Sequence, residues 1–324
     1  MRFLQSCLHS AAESPGRDYS PGIELWSLFQ AQLSAWSYRL SVQCQRGNGF
    51  GSFEIASRRS ALTARKELFA VAKISACIIS FNEEKKIEDC LKSLVPLVDE
   101  IIVIDSESTD RTVEIAKKYT DKVINQPFLG YLEQKNFAVD AATHDWVLAL
   151  DCDERVSPEL CDQIAAIKED LGELDAYKMP RKTFYIYRWI NHCWYPDAKV
   201  RLFDRRKARW GGVNPHDRIE VETDKIGWLG GDLYHYSFDT VSDHLNTIDR
   251  FTKIGADELL ARGKKVGVLT PINHGFWTFI KVYFIKQGFR DGFAGFLIAV
   301  LSFTHAFVKY SRAWIELNKD KAAS

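Results

Sequence analysis

Between residues 74 and 151 the chain alternates short runs of apolar, often β-branched residues with longer segments whose apolar positions recur every three or four residues. No other feature constrains the fold as tightly, because strands separated by crossover helices pair in parallel and need both faces of their sheet covered. ISACIIS (74–80) reads as a buried strand. EEKKIEDCLKSLVPL follows as a helix with Ile87, Cys90, Leu91 and Leu94 on one face and Asn82 as its cap. DEIIVIDS (99–106) reads as a second strand, DRTVEIAKKY as a second helix, KVIN as a third strand and YLEQKNFAVDAA as a third helix. DWVLALD (145–151) is a fourth strand, and Ser157-Pro158 supplies a cap and a first-turn proline for the next helix. The expected architecture is α/β: a Rossmann-like, mostly parallel sheet flanked by helices.

At 324 residues and 46% apolar content the chain can bury a substantial core, and its formal net charge of zero gives no global drive toward nucleic acid. No nucleic-acid partner is expected. The seven cysteines are scattered and lack C-x-x-C spacing, which disfavours a disulfide framework and a zinc site and fits a reducing, cytoplasmic setting. The start of the chain does not read as a secretory signal. No apolar stretch reaches membrane-spanning length, the nearest being FAGFLIAVLSFTHAFV at 293–308. Residues 1–72 lack the regular alternation and read as a disordered extension with one helix at 23–40. With methionine only at positions 1 and 179, this segment is expected to be an upstream extension, either mis-called or dispensable for folding and transfer.

In open α/β sheets ligands bind beyond the carboxyl ends of the strands. Three such ends carry polar residues here: Ser80-Phe81-Asn82-Glu83, Asp105 through Asp110, and Asp151-Cys152-Asp153-Glu154. If the chain stays extended at 151–153, Asp151 and Asp153 point one way and Cys152 the other, toward packing. Two carboxylates on one side attract a hard divalent cation, Mg2+ or Mn2+, together with a phosphate-bearing ligand. Alone, the D-x-D pattern is a weak signal and reads more readily as an acidic turn capping the next helix, with Glu154 solvated; its context decides between the two.

In order and spacing, SFNEE, VIDSESTDRT and the D-x-D resemble the nucleotide-sugar domain of glycosyltransferase family 2 over residues 73–240. The resemblance implies a GT-A fold and an inverting sugar transfer from a nucleotide donor. It implies that Asp105 contacts the base, Asp151 the ribose and metal region, and Asp153 the metal bridging the donor diphosphate. Ser80, Asn82, Glu83 and Ser108 belong to the same donor-binding set, as does Arg201. Cys152 departs from the alanine often found between the two aspartates. His235, in GDLYHYS, resembles the late histidine that completes a metal or diphosphate site, although a packing role is its ordinary alternative.

From Lys178 to Arg209 there are ten basic residues against two acidic ones, interleaved with Tyr and Trp. Aromatic faces suit sugar rings and cations suit phosphates; the alternative is a β-ribbon packed on the main sheet. In RWGGVNPHDRIEV (209–221), Asp217 is the candidate base for an acceptor hydroxyl, against the alternative of a turn aspartate paired with Arg218. Residues 241–324 read as a helical amphipathic region, and the part from 264 onward carries nine Lys or Arg against three Asp or Glu. Such an element fits an anionic membrane surface, which places the chain peripherally on the inner face of the cytoplasmic membrane. Its tail, KQGFRDGFAGFLIAVLSF followed by VKYSRAW, resembles that of bacterial lipopolysaccharide core β-glucosyltransferases. This resemblance implies UDP-glucose as donor and a lipid-linked inner-core saccharide as acceptor. Two other readings stay open: transfer to a polyprenyl phosphate, and sugar-nucleotide binding at the membrane without turnover.

Overall fold

ISACIIS forms β1 (Ile74–Ser80), nearly all buried and flanked by parallel neighbours on both sides. The computed structural model describes residues 71–169, 171–213 and 216–319. The expectations for residues 1–70, including the helix at 23–40, lie outside the described residues. With β2 (Glu100–Asp105), β3 (Val123–Asn125) and β4 (Trp146–Asp151), β1 makes a parallel set in the order β3-β2-β1-β4. The crossovers are α1 (Ile87–Leu94), α2 (Thr112–Ala116) and α3 (Tyr131–Asp140). Successive strand residues face opposite sides, so Ile74, Ala76 and Ile78 join the core under α1, while Cys77 joins a second core with Ala138 and Val139 of α3. α1 buries Ile87, Cys90, Leu91 and Leu94, the face its spacing predicts.

Asn82 does not cap α1, which corrects that expectation. The helix starts at Ile87, four residues later than a cap at Asn82 requires, and Asn82 adopts φ 53° in the loop after β1. Its side chain is drawn instead to the neighbouring loop, where Oδ1 accepts from the Thr109 amide at 2.9 Å. Asparagine tolerates this left-handed conformation better than most residues. Ser157 does cap α4 (Pro158–Ile167), its Oγ accepting from the Leu160 amide at 3.1 Å.

Beyond β4 the sheet becomes mixed. β5 (Glu154–Val156), β6 (Ala176–Tyr185), β8 (Asp197–Asp204) and β12 (Leu233–Phe238) continue it in the order β4-β8-β6-β12-β5. The short strands β7 (Arg188–Trp189) and β11 (Ile226–Trp228) both pair with β6. β8 runs antiparallel to both β4 and β6, so much of the basic and aromatic stretch at 178–209 lies within the main sheet. β9 (Ala208–Val213) and β10 (His216–Val221) form a separate hairpin. The result is the expected α/β fold: a parallel half that ends at β4, followed by a mixed half.

A capping box of Thr240 and Asp243 opens α5 (Val241–Ala261). α6 (Thr270–Ile280) then runs into a π-helical turn (Lys281–Ile285), a 3-10 turn (Gly288–Asp291) and α7 (Gly292–Asn318), which packs on both α5 and α6. The turn and α7 meet closely: a Cβ on Gly295 would collide with the carbonyl oxygen of Gly288. The helical stretch Gly288–Asn318 is long and apolar enough, by length and composition, to cross a membrane, and 39% of its most apolar window is buried in the protein. This corrects the expectation that no stretch reaches that length. Polar residues interrupt the apolar run in the sequence, but the helix continues past them.

Candidate active site

The loops after β1 and β2 are laced together at the carboxyl edge of the sheet. The Asn82 amide donates to Ser108 Oγ at 2.8 Å, the Glu83 amide to Thr112 Oγ1 at 2.7 Å, and the Ser106 amide to the Ser80 carbonyl at 2.8 Å. Asp105 is buried at their centre, accepting from Ser80 Oγ at 2.9 Å, Ser108 Oγ at 2.6 Å and the Ser108 amide at 2.8 Å. The structure thus brings Ser80, Asn82, Glu83, Asp105 and Ser108 into one rigid shelf. Donors that hold a carboxylate this completely fix its position rather than leave it to be recruited.

At the end of β4 the chain turns at Cys152 and Asp153 instead of staying extended, because Glu154 already belongs to β5 and is in register with His235 of β12. The three carboxylates of this turn consequently meet different surroundings. Glu154 is fully buried; it accepts from Arg201 Nε at 3.0 Å, Arg201 Nη2 at 2.7 Å and Arg181 Nη1 at 3.2 Å. That burial removes the alternative of a solvated Glu154. Asp151 lies 3.0 Å from Lys135 Nζ through Oδ1 and accepts from Arg201 Nη2 at 3.0 Å through Oδ2. Burial alone would raise its pKa, but Lys135 and Arg201 outweigh it and hold the carboxyl well below the usual range. Asp153 has only His235 as an ion-pair partner among the described residues, with Oδ2 3.3 Å from Nε2. Glu83 stands near Asp153 without full compensation: burial first, and then the Asp153 charge, push its carboxyl up to about 7.

Lys135, on α3, is the residue the sequence reading missed. Its ammonium bridges Asp151 and Asp217, 2.7 Å from Asp217 Oδ2, and lies 4.2 Å from the centre of the Trp210 ring. Burial lowers its pKa, but the Asp151 and Asp217 charges more than offset this, so the net shift is upward. A lysine preceding Ala138 and Val139, which pack in the core, was the available sign that it points inward. Arg218, the alternative partner for Asp217, pairs instead with Glu220. Arg201, expected at the donor, is 4% exposed and satisfied by Glu154 and Asp151. Asp151, Asp217 and Arg201 therefore gather around Lys135, and Asp153, His235 and Glu83 lie on the other side of the turn.

The family model for glycosyl transferase family 2 matches residues 75–221. An uncharacterized glycosyltransferase of Rickettsia typhi is 34% identical over 257 residues, covering 74% of this chain and 85% of that protein. The lipopolysaccharide core biosynthesis glycosyltransferase LpsC of Rhizobium meliloti is 25% identical over 252 residues, covering 74% and 92%. Among solved structures, glucosyl-3-phosphoglycerate synthase of Mycobacterium tuberculosis, in complex with Mg2+ and uridine diphosphate, aligns with a TM-score of 0.40 at 19% identity, covering 64% and 84%.

Proposed function

Since the chain belongs to glycosyltransferase family 2, we propose that it is an inverting hexosyltransferase that moves glucose from UDP-glucose to a lipid-linked inner-core saccharide of lipopolysaccharide. The observation that carries this reading is the unequal charge of the turn after β4. Asp151 and Glu154 are matched by Lys135, Arg201 and Arg181, whereas Asp153 has only His235 as an ion-pair partner among the described residues and stands near Glu83.

That crowding of carboxylates beside an imidazole fits a divalent cation. Among the described residues no three His, Cys, Asp or Glu side chains form a preformed cage. Mg2+ and Mn2+ characteristically take one or two protein ligands and complete their shell with water and phosphate. Asp153 and His235 would hold the ion, with Asp151 beside them already engaged by Lys135 and Arg201. When bound, such an ion supplies charge stabilisation for the departing diphosphate.

The chain's own groups do the rest. The shelf of Ser80, Asn82, Glu83, Asp105 and Ser108 receives the uridine. The acceptor oxygen bonds to the anomeric carbon as the bond from that carbon to the diphosphate oxygen breaks, leaving its electron pair on UDP. Asp217 takes the hydroxyl proton, which requires Lys135 to relax its hold as the donor phosphates compete for the same ammonium. Attack from the face opposite the leaving group inverts the anomeric configuration.

The C-terminal helices support a location at a membrane surface. Phe276, Trp277, Phe284, Phe289 and Phe293 are each more than half exposed. Lys281 and Arg290 lie among them, so the surface fits peripheral attachment to an anionic leaflet at the inner face of the cytoplasmic membrane.

The test is thermal unfolding of the full chain with UDP-glucose, with and without Mn2+. Saturating donor at about 100 times Kd stabilises by about 2.7 kcal/mol. The shift should require Mn2+ and vanish in Asp153→Ala, while Asp217→Ala keeps it and loses transfer. No shift with any nucleotide sugar would refute the reading.

A further inference from the structure

A cavity of about 670 Å³ opens between the mixed half of the sheet and the C-terminal helices. This volume falls within the roughly 300–1,000 Å³ typical of ligand pockets. One wall comes from β6, β12 and the loop at 191–197, the other from Ile285, Lys286 and Gln287 after α6. His235 lines it, and the same imidazole lies 3.3 Å from Asp153, so a single side chain separates the cavity from the acidic turn. No residue of the shelf after β1 and β2 lines it, which argues against a nucleotide as its occupant.

Its chemistry is that of a saccharide site. Trp194, Tyr195 and Phe238 give it aromatic surface, and Thr183, Asn191 and Gln287 give it neutral hydrogen-bonding groups. His192 is held in place by Asp291, which is fully buried. The Asp291 carboxylate accepts from the backbone amides of Asn191, His192 and Cys193 at 2.9, 3.1 and 2.9 Å, and from His192 Nδ1 at 3.0 Å. With Nδ1 so engaged, Nε2 is the ring nitrogen left for a ligand hydroxyl. Of the two lysine or arginine residues in the lining, Arg181 is spent on Glu154 and Asp197, while the Lys286 ammonium makes no ion pair among the described residues.

We propose that this cavity is the acceptor subsite: it holds the part of the acceptor saccharide next to the reacting hydroxyl, with His192 binding a sugar hydroxyl and Lys286 an anionic substituent, phosphate or carboxylate. The proposal rests on the transferase reading and adds what that reading lacks, a place for the acceptor. It also gives the C-terminal helices a share of the substrate site, since Lys286 and Asp291 lie outside the strands that carry the carboxylate turn.

The test uses the full chain with UDP-glucose, Mn2+ and a deacylated inner-core oligosaccharide of lipopolysaccharide, intact or treated with phosphatase. Loss of its charge-assisted hydrogen bond should raise the acceptor KM about tenfold or more in Lys286→Ala, and loss of a neutral one should raise it about three- to tenfold in His192→Ala, each by a larger factor than kcat falls. Lys286→Arg should restore most of it, and the donor-induced thermal shift should be unchanged in all three. If phosphate is the anion, phosphatase treatment removes the effect of Lys286→Ala; if carboxylate, the effect persists. An unchanged acceptor KM in both alanine variants, with the donor shift intact, overturns the subsite and leaves the transferase standing. Absence of any donor shift in the unmodified chain overturns both.

Discussion

Replacing Arg201 by methionine tests whether the charge network behind the acidic turn holds the site together. Arg201 is 4% exposed and makes three hydrogen bonds to two carboxylates, two of them to Glu154, which has no exposed surface. Methionine fills much of the volume but leaves Arg181 as the one cationic partner of Glu154 and Lys135 as that of Asp151 among the described residues. Removing one partner of a buried ion pair costs about 3–5 kcal/mol, because the other charge stays desolvated. At about 2–4 °C per kcal/mol for a domain near this size, the unfolding midpoint should fall by about 6–20 °C. Arg201→Lys, which keeps the charge but not the fork geometry, should lie between. Adding Glu154→Gln to Arg201→Met should recover part of the loss, with a coupling energy of about 1–3 kcal/mol in the double-mutant cycle. Thermal and urea unfolding followed by tryptophan fluorescence and near-UV circular dichroism would measure these three variants and the Glu154→Gln single variant that closes the cycle. A single-variant loss below about 1 kcal/mol, or strict additivity in the cycle, would refute the account. It would show that Arg201 is free to serve the donor directly, as its place in the sequence suggested.

Two further outcomes follow from the same surfaces. Glu83 has its carboxyl raised from 4.5 to about 7, so its neutral form is favoured by folding; that contribution is present below the unfolded value and is lost as pH climbs through about 7. Halving for partial exposure the roughly 3 kcal/mol this shift represents, Glu83→Gln in chelator should stabilise by about 1.5 kcal/mol at pH 8 and very little at pH 4.5. Equal gains at both pH values would refute the assignment. On the C-terminal face, Trp277→Glu with Phe284→Glu removes two largely exposed rings whose burial in a bilayer interface is worth about 1.5–3 kcal/mol each. Sedimentation with anionic vesicles should fall by about a hundredfold or more in affinity with the fold unchanged, and undiminished binding would show that this face does not meet the membrane.

Legibility in the sequence followed the range of the interactions. β1 and the buried face of α1 could be read because their patterns are local, and Ser157-Pro158 because a cap and its first turn are adjacent. The second helix was read as ten residues, but α2 covers only Thr112–Ala116: before it Asp110 accepts from Thr112 and Glu84, and after it the Lys118 and Tyr119 amides close tight turns onto the Ile115 and Ala116 carbonyls. The pairing of three-residue β5 with β12 could not be read at all, because nothing local specifies a partner so distant in the chain. The basic stretch at 178–209 misled for the same reason. Arg181 and Arg201 looked like cations offered to a ligand until Glu154, 27 and 47 positions away, supplied their partner.

Three carboxylates within four positions can coexist because the backbone turn separates their surroundings. Had the chain stayed extended through 153, Asp151 and Asp153 would share one side and one set of neighbours. The turn instead buries Cys152, whose Sγ donates to the Ile79 carbonyl at 3.2 Å, and leaves Asp151 and Asp153 on different partners. Lys135 and Arg201 neutralise the first, and Arg201 with Arg181 neutralises Glu154, so the uncompensated negative charge of the turn resides on Asp153 beside Glu83. A cationic ligand arriving at this edge therefore gains most by binding at Asp153, and His235 joins that point to the cavity. The arginine and lysine partners are thus spent on the two carboxylates that hold the turn in shape, and the third is left with an imidazole alone among the described residues.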